Sequence, residues 1–583
     1  MNRKTSNKDN GAGYADMILM NGKVATNDKA RPFVSAFAVK DGRFTVTGDD
    51  TDVARLRGPD TEVVDAGGRT VIPGLIDSHL HIIRAGLNYN MELRWDGVPS
   101  LSDALDMLRE QARRTPPPQW VRVVGGWTEF QFAERRMPTL DELNEAAPDT
   151  PVFVLHLYDR ALLNRAAVRA VGYDRDTPEP PGGMIERDHK GDPTGLIIAK
   201  PNAYILYATL AKGPKLNEDE QICSTRLFMR ELNRLGVTGA IDAGGGFQNY
   251  PDDYKVVSEL ADKGLLTVRI AYNLFTQRPG HEIEDFARWV GTTRPGTGDE
   301  YYRLNGAGEM LVFSAADFED FREPRPELPS SLEMELEEVV TLLARNNWPF
   351  RVHGTYDESI TRFLNVFEEV NRDYPLNGLR WFIDHAETIS EFNMERVFYL
   401  GGGIAVQDRL AFQGERFVER YGAKAASAAP PIRRMLEMGI PVGAGTDATR
   451  VASYNPFVSL YWLVSGNTLG GLNLYQSANR MDRMEALRLW TSGSAWFSAE
   501  ELEKGAVKPG YLADFAALSA DYFSVPEVDI KGLESVLTVV GGKVAHASGP
   551  FASLAPPDIA VSPGWSPVLL RRAASGRRMK KAA

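Results

Sequence analysis

The stretch that decides the fold is Val71-Ile-Pro-Gly-Leu-Ile-Asp-Ser-His-Leu-His81, an apolar run that ends in two histidines. In a β-strand, residues i and i+2 point to the same side and lie about 7 Å apart along the backbone. The pattern therefore predicts a strand that presents the imidazoles of His79 and His81 on one face. Two imidazoles at the end of one strand suit a metal ion bound by nitrogen ligands.

Seven further strand-like segments follow, and helical stretches separate them. This alternation is typical of βα units around a parallel sheet. Together with the first segment they give the eight strands that a (β/α)8 TIM-like barrel requires. The predicted strands are Val71–His81, Gly236–Gly244, Thr267–Phe275, Gly306–Phe313, Phe350–Gly354, Trp381–Ala386, Gly403–Asp408 and Ile440–Asp447.

The remaining segments predict two further parts of the molecule. About 150 residues separate the first two barrel strands, which is too long for one loop and predicts an inserted α/β subdomain. Both ends of the chain carry short strands joined by turns such as Asn21-Gly22, Asp41-Gly42 and Gly541-Gly542, which indicate hairpins. The predicted α/β fold therefore has a barrel over 71–495 with an insertion at about 86–235, and a β-sandwich built from 16–70 and 496–549. Polar tails are expected at 1–15 and 550–583.

Composition limits the possible partners. The chain has 583 residues, a net charge of -12 and a hydrophobic fraction of 43%. The acidic balance argues against nucleic acid or an anionic membrane surface, and no run reaches the roughly 20 apolar residues of a membrane span. The single cysteine, Cys223, excludes an intrachain disulfide and a thiolate-rich zinc site. We expect a cytoplasmic protein with a small-molecule substrate, and self-association stays open. The basic end of the C-terminal tail is expected to be solvated or docked.

Five side chains at the ends of predicted strands form the candidate site. They are His79, His81, His353, His385 and Asp447, and they include half of the eight histidines in the chain. Imidazole and carboxylate ligands suit zinc and similar divalent ions. Such an ion lowers the pKa of a bound water and polarises a carbonyl, and Asp447 is the expected general base.

These five positions, with Pro73-Gly-Leu-Ile-Asp-Ser-His79 and Gly445-Thr-Asp447, resemble the amidohydrolase superfamily. The long insertion and Lys508-Pro-Gly-Tyr-Leu-Ala-Asp514 are similar to its family-3 branch, which includes deformylases of N-substituted formamides. The resemblance implies ligands from barrel strands 1, 5, 6 and 8. It also implies hydrolysis of a carbon–nitrogen bond, in an amide or N-acyl group.

A further ligand decides between one metal ion and two. Binuclear members of the superfamily carry a bridging carboxylated lysine or glutamate on strand 4, and the strand count makes Glu309 the candidate. Lys200 is the alternative if the strand count is wrong. The family-3 pattern often has a lysine on strand 4, and Glu309 departs from it.

Residues near the predicted mouth of the barrel are candidates for substrate contact. They are Trp127 and His156 in the insertion, and Gln407 and Arg409 after strand 7. Aromatic loop residues there favour a substrate with an apolar group.

Two other functions stay open. Hydrolytic deamination of a ring fits the same scaffold, although such deaminases usually carry a glutamate where this chain has Tyr356. A catalytically silent binding protein would be expected to have lost a ligand, and none of the five is lost.

Overall fold

The structure is a computed structural model that describes residues 13–179, 183–200, 203–246, 248–317, 321–322, 325 and 327–571. The strands within these ranges are β1 Met17–Met20, β2 Lys23–Ala25, β3 Phe33–Val34, β4 Ala36–Lys40, β5 Arg43–Gly48, β6 Glu62–Asp65, β7 Thr70–Pro73, β8 Leu75–Leu80, β9 Glu92–Leu93, β10 Val121–Val124, β11 Val152–His156, β12 Arg160–Leu163, β13 Gly183–Arg187, β14 Pro193–Ala199, β15 Val237–Asp242, β16 Arg269–Leu274, β17 Tyr302–Ala307, β18 Arg351–Gly354, β19 Phe382–His385, β20 Gly403–Gln407, β21 Val442–Gly445, β22 Phe515–Leu518, β23 Ser535–Val540 and β24 Lys543–Ala547.

The α-helices in the same ranges are α1 Asp50–Ala54, α2 Ile82–Asn88, α3 Leu101–Arg114, α4 Leu140–Ala146, α5 Arg165–Val171, α6 Tyr204–Ala211, α7 Glu218–Arg234, α8 Lys255–Asp262, α9 Glu282–Thr292, α10 Leu332–Arg345, α11 Asp357–Asp373, α12 Glu391–Tyr399, α13 Arg409–Ala426, α14 Ile432–Glu437, α15 Pro456–Ser465 and α16 Arg483–Arg488. In the part of the chain that the structure describes, no helix is both long enough and apolar enough to cross a bilayer.

The centre of the molecule contains two four-stranded parallel sheets. One has the order β17-β16-β15-β8 and the other the order β18-β19-β20-β21. A parallel bridge between Ala307 and Phe350 joins β17 to β18. At the other edge, the amide of Asp447 donates to the carbonyl of His79 at 2.8 Å. The carboxyl ends of β8 and β21 therefore lie side by side.

Two predicted strand boundaries were wrong. The segment Val71–His81 is divided, because β7 pairs with β2 and β22 in a different sheet and only β8 joins the central strands. The fourth central strand is β17, which ends at Ala307, whereas the prediction began it at Gly306. β17 begins with the polar residues Tyr302-Arg303, so its start did not match the apolar pattern from which the strands were predicted. The apolar residues after Glu309 pack into the core from a turn and a short 3-10 helix instead.

Strands from both chain ends combine in one mixed sheet. Its order is β24-β23-β22-β7-β2-β3, and a second sheet has the order β5-β4-β1-β6. Aromatic side chains from both ends share one buried cluster, in which Phe37 contacts Phe44 and Phe515 with ring centroids 5.0 and 4.8 Å apart. Burial of aromatic side chains of this size is a large contribution to stability.

The segment between β8 and β15 contains a six-stranded mixed sheet of its own, with the order β13-β14-β12-β11-β10-β9. Helix α3 packs on it through the residues Leu101, Ala104, Leu105 and Leu108, whose spacing of three and four places one apolar stripe along the helix. Helix α7 lies within the predicted insertion range but packs against α2, where Ser224 donates to the carbonyl of Gly86.

The described part of the C-terminal tail lies along the surface of the molecule. The carbonyl of Trp565 accepts a hydrogen bond from Gln111 at 2.8 Å, and the carbonyl of Ser562 accepts one from Asn90 at 2.7 Å. Arg571 stacks on Tyr89 and donates to the hydroxyl of Tyr454 at 2.8 Å. The residues 1–12 and the basic residues after 571 are outside the described residues.

Candidate metal centre

His79 and His81 lie at the carboxyl end of β8, where neighbouring chain segments fix their rings. The ring Nδ1 of His81 faces the carbonyl of Gly244, which can only accept, so this nitrogen carries the proton and Nε2 has the free lone pair. The Nδ1 of His79 lies 3.0 Å from Asp384. The Nε2 atoms of both histidines consequently point towards Asp447 Oδ1, at 3.4 Å from His79 and 3.0 Å from His81.

Glu309 lies two residues beyond β17, between two pairs of histidines. Its Oε1 is 3.7 Å from His81 Nε2, and its Oε2 is 3.6 Å from His79 Nε2. On the other side, Oε2 lies 3.2 Å from His353 Nδ1 and 3.6 Å from His385 Nε2. One carboxylate therefore faces all four imidazoles.

His353 and His385 end the neighbouring strands β18 and β19. The Nε2 of His353 lies 3.0 Å from the carbonyl of Asp317, which leaves Nδ1 facing Glu309. The nearest ring nitrogens of the two histidines are 2.9 Å apart. Burial, together with the neighbouring His353, lowers the pKa of His385 to about 4. Burial opposes protonation of His353 as well, but Glu309 outweighs that effect and raises the pKa of His353 to about 9.

Asp447 lies two residues beyond β21. Burial disfavours the ionised carboxylate, but His79, His81 and Arg409 outweigh that effect and hold the pKa of Asp447 well below its usual range. Arg409 Nη2 donates to Asp447 Oδ2 at 2.7 Å. The backbone of Asp447 is left-handed, with φ +56°, and that of His385 has φ +80°. Such conformations cost non-glycine residues about 1–3 kcal/mol and cluster at functional sites.

A buried ion pair, between Arg351 and Asp384, contacts the ring of His79. Asp384 accepts a hydrogen bond from Arg351 Nε at 2.7 Å and faces His79 Nδ1 from β19. A carboxylate behind a histidine fixes the tautomer and orientation of a metal ligand. Burial opposes the charged imidazole, but the negative charge of Asp384 and then Glu309 outweighs it and raises the pKa of His79 to about 9.

The six side chains His79, His81, Glu309, His353, His385 and Asp447 are called the donor cluster below. None is more than 7% exposed. The Nε2 of His79 is buried without a hydrogen-bond partner, which is expensive unless a ligand occupies it. Two groups within the cluster could each hold an ion: His79, His81 and Asp447, and His79, Glu309 and His385. Buried nitrogen and carboxylate donors at this spacing fit a divalent cation such as zinc.

Lys200, the alternative bridging residue, lies outside the cluster. It is exposed and follows β14 in the insertion. Lys200 was the alternative only if the count of central strands was wrong. The strand before it, β14, pairs with β12 and β13 and not with any central strand. Lys200 is therefore no longer a candidate.

Of the four candidate substrate residues, two lie at the end of β20 and the start of α13, and the other two lie inside the insertion. Arg409 contacts Asp447, and Gln407 lies buried at the end of β20 with neither amide atom hydrogen-bonded. Trp127 is fully buried and donates to the carbonyl of Leu155 at 3.1 Å.

His156 is also fully buried, between Asp159 at 2.7 Å and Glu129 at 2.8 Å. Both ring nitrogens of His156, and the indole nitrogen of Trp127, thus have partners inside the insertion. Direct substrate contact by these two residues stays a prediction, and their burial favours a structural role: Trp127 turns inward from its Gly-flanked loop, and His156 ends β11.

Sequence reasoning missed several residues around the donor cluster. Arg351 could have been found, because it lies two residues before His353 on one strand and so faces the same side. Tyr158 and Tyr207 come from the insertion, with ring centroids 6.3 Å apart. Arg409 lies 5.5 Å from the Tyr158 ring. No spacing in the sequence links these tyrosines to the central strands.

An α/β fold that brings such donors together at strand ends is typical of metal-dependent hydrolases. The family model described as "Amidohydrolase family" matches residues 62–546. This chain belongs to the amidohydrolase family.

Three similar proteins cover nearly the whole chain. An N-substituted formamide deformylase from Arthrobacter pascens is 26% identical over 91% of this chain and 98% of its own. The putative amidohydrolase YtcJ from Bacillus subtilis is 26% identical over 88% of this chain and 96% of its own. The crystal structure of an uncharacterized metal-dependent hydrolase from Pyrococcus horikoshii matches with a TM-score of 0.63 and 20% identity, over 88% of this chain and 99% of that one. The similarity to this last protein shows a shared fold.

Proposed function

We propose that this protein hydrolyses a carbon–nitrogen bond of a small molecule, in an amide or N-acyl group, with one or two divalent cations held by the donor cluster. The observation that carries the proposal is the convergence of four imidazoles and two carboxylates in one buried cluster, with His79 Nε2 left without a hydrogen-bond partner. Family membership supports hydrolysis, and the name of the deformylase relative favours an amide bond.

The two central sheets are proposed to form one closed (β/α)8 barrel, with the β-sandwich and the insertion as the predicted additional domains. The Ala307–Phe350 bridge and the hydrogen bond from Asp447 to His79 support closure at both junctions. In such barrels the active site lies at the carboxyl ends of the strands, where the donor cluster is found. The cytoplasmic location and self-association stay predictions from the sequence.

Glu309 is proposed to bridge two ions. Its carboxylate lies between the pair His79 and His81 and the pair His353 and His385, as a shared ligand must. Zinc is the proposed metal because imidazole and carboxylate donors suit it. When bound, a divalent cation supplies Lewis acidity that polarises a carbonyl and lowers the pKa of water.

Asp447 is proposed as the general base. It stays ionised because its pKa is held far below neutrality, and Arg409 fixes Oδ2 while Oδ1 faces the histidines. A carboxylate held in this way accepts a proton from water and delivers it to the departing nitrogen. Arg409 thereby sets the direction in which Asp447 acts.

A cavity of about 520 Å³, lined in part by residues that follow His353 and His385 along the chain, is proposed to take an apolar part of the substrate. Tyr356, Phe417 and Ile389 contribute apolar surface to its lining. Glu387 also lines it and lies 3.6 Å from Arg409 Nη1, on the far side of that guanidinium from Asp447. Cavities of this size are typical of small-molecule sites.

The test is hydrolysis of a panel of N-formyl, N-acyl and cyclic amides by protein purified without chelator, before and after metal removal. We expect activity that chelation abolishes and zinc or manganese restores, and His79→Ala should abolish it. His281→Ala is the matched control, because His281 is half exposed and pairs only with Glu284. Full activity in His79→Ala, or no rescue by metal, would contradict the proposal. Release of ammonia from ring amines alone would favour the deaminase alternative.

A further inference from the structure

Two arginines beside the donor cluster form no ion pair within the described part of the chain. Arg84 lies on α2, three residues after His81, and Arg450 lies three residues after Asp447. Among the ion pairs and side-chain hydrogen bonds of the described residues, neither guanidinium has a carboxylate or carbonyl partner. Arg84 Nε and Arg450 Nη1 are buried without an acceptor. Arg84 is only 7% exposed.

Both guanidiniums lie close to the ring of one tyrosine from the insertion, Tyr207. The Tyr207 ring centroid is 4.4 Å from Arg450 and 5.8 Å from Arg84. The hydroxyl of Tyr207 is buried, and the neighbouring hydrogen-bonding side chain is that of Tyr158. Burial lowers the pKa of Arg450 to about 10, and the adjacent Arg84 contributes to that shift. Two like charges are thus desolvated together, which is unfavourable unless an anion joins them.

The pair lies close to the reacting groups. A Cβ atom built on Gly245 would lie 3.0 Å from Arg84 Nη1 and 3.4 Å from His81 Nδ1, so this guanidinium is a near neighbour of the histidine ring. Glu92 is the acidic group near Arg450, but its own contact is with Arg94 Nη1 at 3.4 Å. Asp242, the acidic group near Arg84, accepts hydrogen bonds from the amides of Ile83 and Gly244, so neither arginine forms an ion pair with Glu92 or Asp242.

We infer that Arg84 and Arg450, with the hydroxyl of Tyr207, bind a carboxylate group of the substrate. The planar fork of a guanidinium matches a carboxylate, and a bound carboxylate explains why a buried Arg84 and a partly buried Arg450 lie together without an acidic partner among the described residues. The anion would lie at the ends of β8 and β21, whereas the cavity that contains the apolar surface of Tyr356, Ile389 and Phe417 lies beyond β18 and β19. The substrate class is then an N-acyl or amide compound with a carboxylate at one end and an apolar group at the other. The assignment of the carboxylate to a substrate rests on the proposed hydrolase function.

The test uses two probes without a carbon–nitrogen bond, so that binding is measured without turnover. Binding of 4-phenylbutanoate and of 4-phenylbutan-1-ol is measured by calorimetry on purified protein, as isolated and after zinc addition. We expect the acid to bind at least tenfold more tightly than the alcohol, since hydrogen bonds to charged groups are strong. Arg84→Met and Arg450→Met should each remove most of that preference. Arg420→Met removes a cation that lines the cavity and tests it as the competing carboxylate site, and Arg113→Met, at an exposed arginine of α3, is the control that should keep the preference.

Thermal unfolding distinguishes a binding role from a structural one. Because Arg84 makes no ion pair, Arg84→Met should melt at the same temperature as the wild type or higher. If Arg84 instead stabilised the fold through a partner, Arg84→Met would have a lower midpoint temperature of thermal unfolding than the wild type. Equal affinity for acid and alcohol, or loss of the preference in Arg420→Met alone, would overturn the inference. If the preference persists but no amide is hydrolysed, the hydrolase proposal fails and the anion site stands.

Discussion

Gly125 holds the insertion against the loop that carries Asp447, and Gly125→Ala is expected to damage both stability and metal binding. Gly125 has φ +63°, and a Cβ there would lie 2.0 Å from the carbonyl oxygen of Thr449 and 2.3 Å from that of Arg450. An ordinary carbon–oxygen contact is about 3.3 Å or more, so the backbone must move by about 1 Å. No rotation of a side chain can relieve the contact, because both neighbours are backbone atoms.

The size of the effect follows from two contributions. The left-handed backbone costs alanine about 1–2 kcal/mol, and overpacking adds about 1–3 kcal/mol. Displacement of the loop also moves Asp447, which lies two residues before Thr449, and a shift of about 1 Å can reduce a site's efficiency 100-fold. We expect Gly125→Ala to lose about 3 kcal/mol of stability and at least tenfold in zinc affinity.

Gly172→Ala is the matched control for this prediction. Gly172 ends α5 in the same insertion with φ +74°, and a Cβ there would meet nothing within 4 Å. The Gly172→Ala variant should lose only the backbone contribution to stability, about 1–2 kcal/mol, and keep its zinc affinity. Urea unfolding gives the stability, and competition with a chromogenic chelator gives the affinity. If the two variants behave alike in both measurements, the reasoning is refuted.

Three further predictions concern the donor cluster and the insertion. Asp384→Asn should weaken zinc binding by about 10–100-fold and destabilise the fold by about 3–5 kcal/mol, because a buried arginine loses its partner; unchanged affinity in a chelator competition would argue against its role. Glu309→Gln should lose at least one ion per chain by elemental analysis, whereas Lys200→Ala should lose none. His156 and nearby arginines outweigh burial and lower the pKa of Asp159 to about 2. Since the unfolded value is about 3.9, its stabilisation is complete above that pH and is lost as the pH falls towards 2. The stability difference between wild type and Asp159→Asn should therefore shrink over that interval in urea unfolding, and a constant difference would contradict it.

The strand-end ligands could be predicted from sequence because their signals are local. An apolar run that ends in His-Leu-His, or in Gly-Thr-Asp, places its side chains by the two-residue period of a strand alone. The central strands were also recognisable by their apolar content, except β17, whose start is polar. Glu309 was named through the strand count, although the strand itself ends before it.

The surroundings of the donor cluster could not be predicted, because they depend on contacts between distant segments. Arg84, Arg450 and Tyr207 come from three parts of the chain, and only the folded insertion brings the tyrosine close to both arginines. The sequence equally gave no sign that Trp127 and His156 face the core of the insertion. Aromatic residues flanked by glycines occur both in open loops and in inward turns such as this one.

The most direct test of the central claim is an anomalous difference map at the zinc edge, from crystals of the protein grown with zinc. The account predicts one peak between His79, His81 and Asp447 and a second beside Glu309, His353 and His385, each about 2.0–2.2 Å from its ligand atoms. Arg409 should still contact Asp447 in that structure. The absence of any peak at these six side chains, with zinc bound elsewhere or not at all, would contradict the account.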